Sequence, residues 1–136
     1  MRMSAVELAN FVWAHAHLAI PLPPAWLDAV DARVLQLLTN HFRKSPSQAP
    51  QILWSFAVMG HLETSSSAGG LLTLLTSVPT ESWNRQTFLQ MHQIMMCIKV
   101  LSNKYDGGCE VPPIVADLVR VSDVKVARTA IYSTSP

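Results

Sequence analysis

The sequence predicts an all-α protein, a short α-solenoid of about three antiparallel helix pairs with a period of roughly 40 residues. Three observations carry that expectation. Apolar residues recur at helical spacing in one segment after another. Proline and glycine punctuate the chain between those segments. Trp-bearing segments align with one another at Trp13 and Trp54, 41 residues apart. A chain of 136 residues is long enough for one domain around one core.

The elements follow in order. Ser4 and Glu7 form a capping box before an apolar run, which starts a helix ending near Leu18. Leu8, Phe11 and Val12 lie among apolar neighbours on most sides, leaving only a narrow strip of Glu7, Asn10, Ala14 and His17. Pro21, Pro23 and Pro24 break the chain and pre-set a second helix from Ala25 to about Leu38, whose apolar face is Trp26, Val30, Val34 and Leu37. A loop is expected over His41-Phe42-Arg43-Lys44-Ser45-Pro46, then a third helix from Ser47 to a stop at Gly60. Ser65 to Gly70 reads as a flexible loop or frayed turn, and Leu71 to Val78 as a short fourth helix. The fifth runs from about Asn84 to Asn103, with Phe88, Met91, Met95 and Ile98 on one side. Pro112 and Pro113 open a sixth helix to about Arg120; valines at 119, 121, 124 and 126 leave a strand open over Val115 to Val126, with helix preferred.

The first and third helices align without a gap, Leu8-Ala9-Asn10-Phe11-Val12-Trp13-Ala14-His15-Ala16 on Ala49-Pro50-Gln51-Ile52-Leu53-Trp54-Ser55-Phe56-Ala57. Leu89 to Cys97 takes the same slot one period on, with its register open by two residues because the tryptophan is gone. Pro23-Pro24 and Pro112-Pro113 each open the second helix of a unit. The units are then about 4–44, about 45–82 and a degenerate one at about 83–122, followed by a tail at 123–136, all in one domain spanning 1–136. Ala16, Ala57 and Cys97 are small enough for close helix approach, and the repeated tryptophan is expected to fill the space between layers.

Composition narrows the function. Charged residues are 14% of the chain against a typical 25% or so, while hydrophobic residues reach 49%. Too little charge is available to cover a free surface, which points to a covered face or to a fragment of a longer chain. The net charge of +1 excludes a strongly basic nucleic-acid binder by composition alone. Cys97 and Cys109 are too few for a disulfide framework or a zinc site and read as reduced thiols. No apolar stretch is long enough to span a membrane, and any targeting segment is expected to be absent, atypical or already removed. His15 and His17 point to different sides of a helix, and no HExxH, P-loop, GxGxxG, G-x-S-x-G or paired carboxylate is present. The expectation is a protein with no metal, no cofactor, no small-molecule substrate and no catalysis.

Leu8-Ala9-Asn10-x-x-Trp13-Ala14-x-Ala16-x-Leu18 followed by Pro23-Pro24-x-Trp26-Leu27 resembles the octotricopeptide repeat. Phe88-Leu89-Gln90-Met91-His92-Gln93-Ile94-Met95-Met96 is similar to the helix that often closes such arrays before a RAP domain, and no RAP domain is expected within these 136 residues. The second unit departs from the pattern, with Ala49-Pro50-Gln51 in place of the Leu-Ala-Asn triplet. The resemblance implies an organellar protein that binds RNA in transcript stability, processing, translation or ribosome structure. With so few units and so little charge, the expected role is a structural subunit of a mitochondrial ribosome, held by rRNA and neighbouring proteins, with the plastid as the alternative compartment. The competing roles are a transcript-specific maturation or stability factor and an RNA-free scaffold subunit.

On that resemblance, Asn10 and its counterpart Gln51 are expected to face RNA bases, alongside Gln48 and Ser55. The alternative is that the two amides satisfy buried backbone groups or each other. Phosphate contacts are expected from His41, Arg43 and Lys44, with Phe42 stacking between them, and from Arg85, Lys99, Lys104, Arg120, Lys125 and Arg128.

Overall fold

The computed structural model describes residues 2–106 and 110–122. Among these the chain is helical throughout, with α1 at Ala5–Leu18, α2 at Pro24–Thr39, α3 at His41–Lys44, α4 at Ala49–Val58, α5 at Ala68–Ser77 and α6 at Arg85–Lys104. A 3-10 turn at Thr80–Ser82 precedes α6, and α7 occupies 113–122. The strand alternative is therefore overturned as far as residue 122, and the rest of that segment lies outside the described residues.

Local chemistry sets most of the ends. The capping box is formed: Ser4 Oγ accepts from the Glu7 amide at 3.2 Å and Glu7 Oε1 accepts from the Ser4 amide at 3.1 Å. Those bonds hold the Glu7 carboxyl below its usual range. Both α1 and α4 end in the same paired turn. In α4 the Gly60 amide bonds Ala57 and the His61 amide bonds Phe56, at 3.2 and 2.8 Å; in α1 Ala19 and Ile20 reach Ala16 and His15, at 3.3 and 3.0 Å. Gly60 takes a φ of 74°, which suits glycine, but the same position in α1 forces Ala19 to a φ of 56°. Asn84 caps α6 by accepting from the Thr87 amide at 2.8 Å.

α4 lies at the centre, packed against α1 on one side and α6 on the other, with α5 reaching from α4 across to α2. Leu8, Val12, Ile52, Leu53, Phe56 and Ile94 are fully buried where these helices meet. Each contributes about 1.5–3 kcal/mol by leaving water. The burial pattern sets the register of the third segment: Met91, Ile94 and Ile98 are buried as Ala49, Ile52 and Phe56 are, 42 residues earlier. Gly70 lets α5 come close to α2, since a Cβ there would stand 2.8 Å from Leu38 Cδ1.

Three expectations are corrected. The stretch from Ser65 to Gly70 is not a flexible loop: Ser65 and Ser67 are buried, and Ala68, Gly69 and Gly70 belong to α5. The run His41-Phe42-Arg43-Lys44 is one helical turn and Phe42 is fully buried, so it cannot stack on a base. The tryptophans do not fill the space between the helices; Val12, Leu53 and Phe56 are the fully buried side chains there. Trp13 is 38% exposed and Trp54 only packs against the edge of the core. Their amphipathic rings sit at the boundary, where the indole N–H can find a partner.

Candidate functional site

The least expected feature is a buried polar cluster around Asp31, which stands on the apolar side of α2 at 3% exposure. Its carboxylate accepts from Ser65 Oγ at 2.7 Å and Ser67 Oγ at 2.6 Å, and meets His61 Nε2 at 2.7 Å. Burial raises the pKa of Asp31, but these bonds outweigh it and hold the carboxyl below its ordinary value. Ser65 Oγ in turn accepts the Ala68 amide at 3.0 Å and the Ser67 amide at 3.2 Å, so it caps α5. The other ring nitrogen of His61 lies 3.2 Å from Thr64 Oγ1, and its ring meets Phe56 edge-on at 4.9 Å. The two buried serine hydroxyls both point at the carboxylate and neither at the imidazole. A nucleophile would need the opposite order, with serine on histidine and histidine on aspartate. The cluster is a clamp that fastens α2 to the start of α5.

The surface formed by α1, α4 and α6 carries the expected amides. Val6, Asn10, Trp13 and His17 share one side of α1, Gln51, Trp54 and Val58 one side of α4, and Leu89, Gln93, Met96 and Val100 one side of α6. Gln51 donates to the Ala9 carbonyl at 3.2 Å and reaches Asn10 Oδ1 at 3.5 Å, tying α4 to α1. Trp54 Nε1 donates to Gln93 at 2.6 Å, tying α4 to α6. Asn10 and Gln51 thus lie together at the surface and already bond across the helix pair. Trp13 stacks on His17, with ring centres 4.7 Å apart and planes within 10°. Ser55 faces inward and donates to the Gln51 carbonyl at 2.7 Å.

Ala57, Leu62, Met96, Cys97, Val100 and Leu101 line an open apolar groove between α4 and α6, with Glu63 and Lys104 at one end. Ala57 and Cys97, expected to let the helices approach, both line this groove and pack against the core. Burial pushes the Cys97 thiol up, which keeps it in the weakly nucleophilic form.

The cations predicted to hold phosphate are not gathered into one site. His41, Arg43 and Lys44 project from α3, Arg85 opens α6, and Lys99 lies on its exposed side. Lys104 Nζ is 2.9 Å from Glu63, whose carboxyl is held down first by Tyr105 at 2.6 Å and then by Lys104. Arg120 stands 3.4 Å from Asp117. Lys125 and Arg128 lie outside the described residues. Among the described residues no three His, Cys, Asp or Glu side chains converge as metal ligands. Likewise no described helix is long and apolar enough to cross a membrane.

Among the described residues the chain is all-helical, with an apolar face on α1, α4 and α6 and basic groups set apart from one another. No family model, no curated protein and no solved structure matches the chain.

Proposed function

We propose that this chain is a non-catalytic structural subunit of an RNA-containing particle, in first place the mitochondrial ribosome, wedged between rRNA and protein neighbours. Its helices are read as a short solenoid of three antiparallel pairs, α1 with α2, α4 with α5 and α6 with α7. The similarity of the three first helices, and their adjacency in space, support that reading.

The observation that carries the proposal is the separation of two kinds of surface. The α1–α4–α6 face exposes large apolar side chains, with Met96 at 56% and Val100 at 70%, more than a free monomer keeps in one place. Away from its centre, Arg43, Lys44, Arg85 and Lys99 make no ion pair or hydrogen bond through their charged ends among the described residues, which leaves them open there to meet phosphate. A subunit held by protein contacts needs only a few such cations. An RNA-free scaffold is the second reading, favoured by the pairing of Lys104 with Glu63 and of Asn10 with Gln51.

Tagging the chain in its own cell and sedimenting the native lysate separates the readings. The proposal expects comigration with an organellar ribosomal subunit, lost on ribonuclease treatment, and ultraviolet cross-links from the Arg43–Lys44 turn to rRNA. A ribonuclease-resistant complex without RNA would sink it in favour of the scaffold.

A further inference from the structure

Ser65 and Ser67 stand in the wrong order for a nucleophile, but Thr64 stands in the right one. Asp31 Oδ2 meets His61 Nε2 at 2.7 Å, and the other ring nitrogen, Nδ1, lies 3.2 Å from Thr64 Oγ1. Hydroxyl, imidazole and carboxylate thus follow one another from solvent to core, with Thr64 exposed, His61 4% exposed and Asp31 3% exposed. The Thr64 amide donates to the His61 carbonyl at 3.2 Å, so the backbone turn itself holds the hydroxyl beside the ring. The contact of Thr64 Oγ1 with that carbonyl is longer, 3.5 Å. Because the Asp31 carboxyl is held below its ordinary value, it is ionised and can only accept. His61 Nε2 must then carry a proton, and in the neutral ring Nδ1 is left with its lone pair towards Thr64.

We propose that Thr64 is a covalent modification site, an activated hydroxyl that takes an acyl group from an uncharged activated ester or thioester, with His61 as its base and Asp31 as the positioning residue that sets the tautomer. Oγ1 attacks the acyl carbonyl carbon as its proton passes to His61 Nδ1. The new C–O bond forms, the bond to the leaving alcohol or thiol breaks, and the proton moves on from Nδ1 to the departing oxygen or sulfur. The ring ends neutral. Charge favours an uncharged donor. Asp31 lies behind His61, Glu63 is the residue before Thr64, and Lys104 is already paired with Glu63 at 2.9 Å. A phosphoryl donor would bring several negative charges towards two carboxylates. His61 is too deeply buried to be acylated itself, and its burial leaves little room for a water between the ring and the product ester. The ester is therefore retained and not turned over. Thr64 is a stoichiometric acceptor, a property that goes beyond the non-catalytic role proposed above and does not depend on it.

The test is reaction of the purified full chain with p-nitrophenyl acetate, followed by fragment-ion mapping in the mass spectrometer. The exposed Ser66 hydroxyl, two residues away, is the internal standard. General-base assistance raises a rate by about 10²–10⁴, so Thr64 should be acetylated at least about 100-fold faster than Ser66. Thr64→Ser should keep the label at position 64, and Thr64→Val should remove it without moving it to Ser66. His61→Gln and Asp31→Asn should each lower the ratio of labelling at Thr64 to that at Ser66 by about tenfold or more, where circular dichroism shows the chain folded. If either variant fails to fold, wild type in urea serves instead, and the ratio there should fall to near unity as the turn leaves Asp31. Thr64 labelled no faster than Ser66 in the folded chain overturns the proposal, as does a preference that survives urea or folded His61→Gln. Neither result touches the particle reading, which stands or falls by sedimentation.

Discussion

Replacing Asp31 by alanine takes away the one acceptor that His61, Ser65 and Ser67 share. Each buried donor left without a partner costs about 1–3 kcal/mol. Three such losses do not add fully, because a serine hydroxyl can rotate and the vacated space can admit water. The expected destabilisation is about 3–5 kcal/mol, comparable to breaking a buried ion pair and a large part of the 5–15 kcal/mol or so that holds a domain together. Asp31→Asn keeps the shape and one acceptor oxygen and should lose about half as much. Asp28→Ala, exposed on the same helix, should stay within about 0.5 kcal/mol. Urea unfolding followed by circular dichroism reads the effect as a lower midpoint at constant slope. Because the carboxyl is depressed in the folded state, its contribution is complete above the unfolded aspartate value near pH 4. It is lost as the pH falls through the lower folded value. The gap between wild type and Asp31→Asn should therefore be widest at neutral pH and shrink below about pH 4. A loss under about 1 kcal/mol for Asp31→Ala at pH 7, or a gap that widens in acid, would refute the clamp.

Three further expectations concern single positions. Phe42→Ala should cost about 3–5 kcal/mol and Arg43→Ala almost nothing, so equal small shifts in melting temperature would contradict the buried plug under α3. Ala19→Gly should raise stability by roughly 0.5–1 kcal/mol by relieving a left-handed alanine, while Gly60→Ala should lower it by about 1 kcal/mol; opposite signs in paired thermal melts are the signature. Trp54→Ala should cost about 2 kcal/mol, less than a core truncation, since only part of the ring and one bond to Gln93 are lost; a cost at or above Phe42→Ala would restore it to the core.

Helix ends were legible because their chemistry is local. Ser4 with Glu7, Pro24, Gly60 and Asn84 each act within a turn of where they stand. The Asp31 cluster was not, because its partners come from 30 to 36 residues away and carry no pattern of their own. Ser-Ser-Ser-Ala-Gly-Gly has the composition of a flexible loop, and only the company it keeps in three dimensions turns two of its hydroxyls inward. One signal was present: Asp31 lies on the same side of α2 as Val34 and Leu38, where a lone charge requires a partner. Phe42 is a similar case. Its charged neighbours describe the outside of a one-turn helix, and a single aromatic among them marks the inside. The amides Asn10 and Gln51 lie side by side at the surface, but a strip read from the sequence says nothing of whether two side chains on adjacent helices have already found each other.

The Asp31 clamp also closes a ring in the chain. From α2 to the start of α5 the backbone runs out through α3 and α4 and returns to the same carboxylate, a non-covalent counterpart of a cross-link. α4 sits inside that ring and touches both α1 and α6. It cannot swing out to full length while the clamp holds, so the first five helices are expected to exchange their slowest amide hydrogens together as one cooperative unit. The same closure limits how such a chain can change by duplication. A helix pair can be added before α1 or after α7 without touching the ring, but one inserted between α2 and α5 would carry Ser65 and Ser67 away from the carboxylate that holds them.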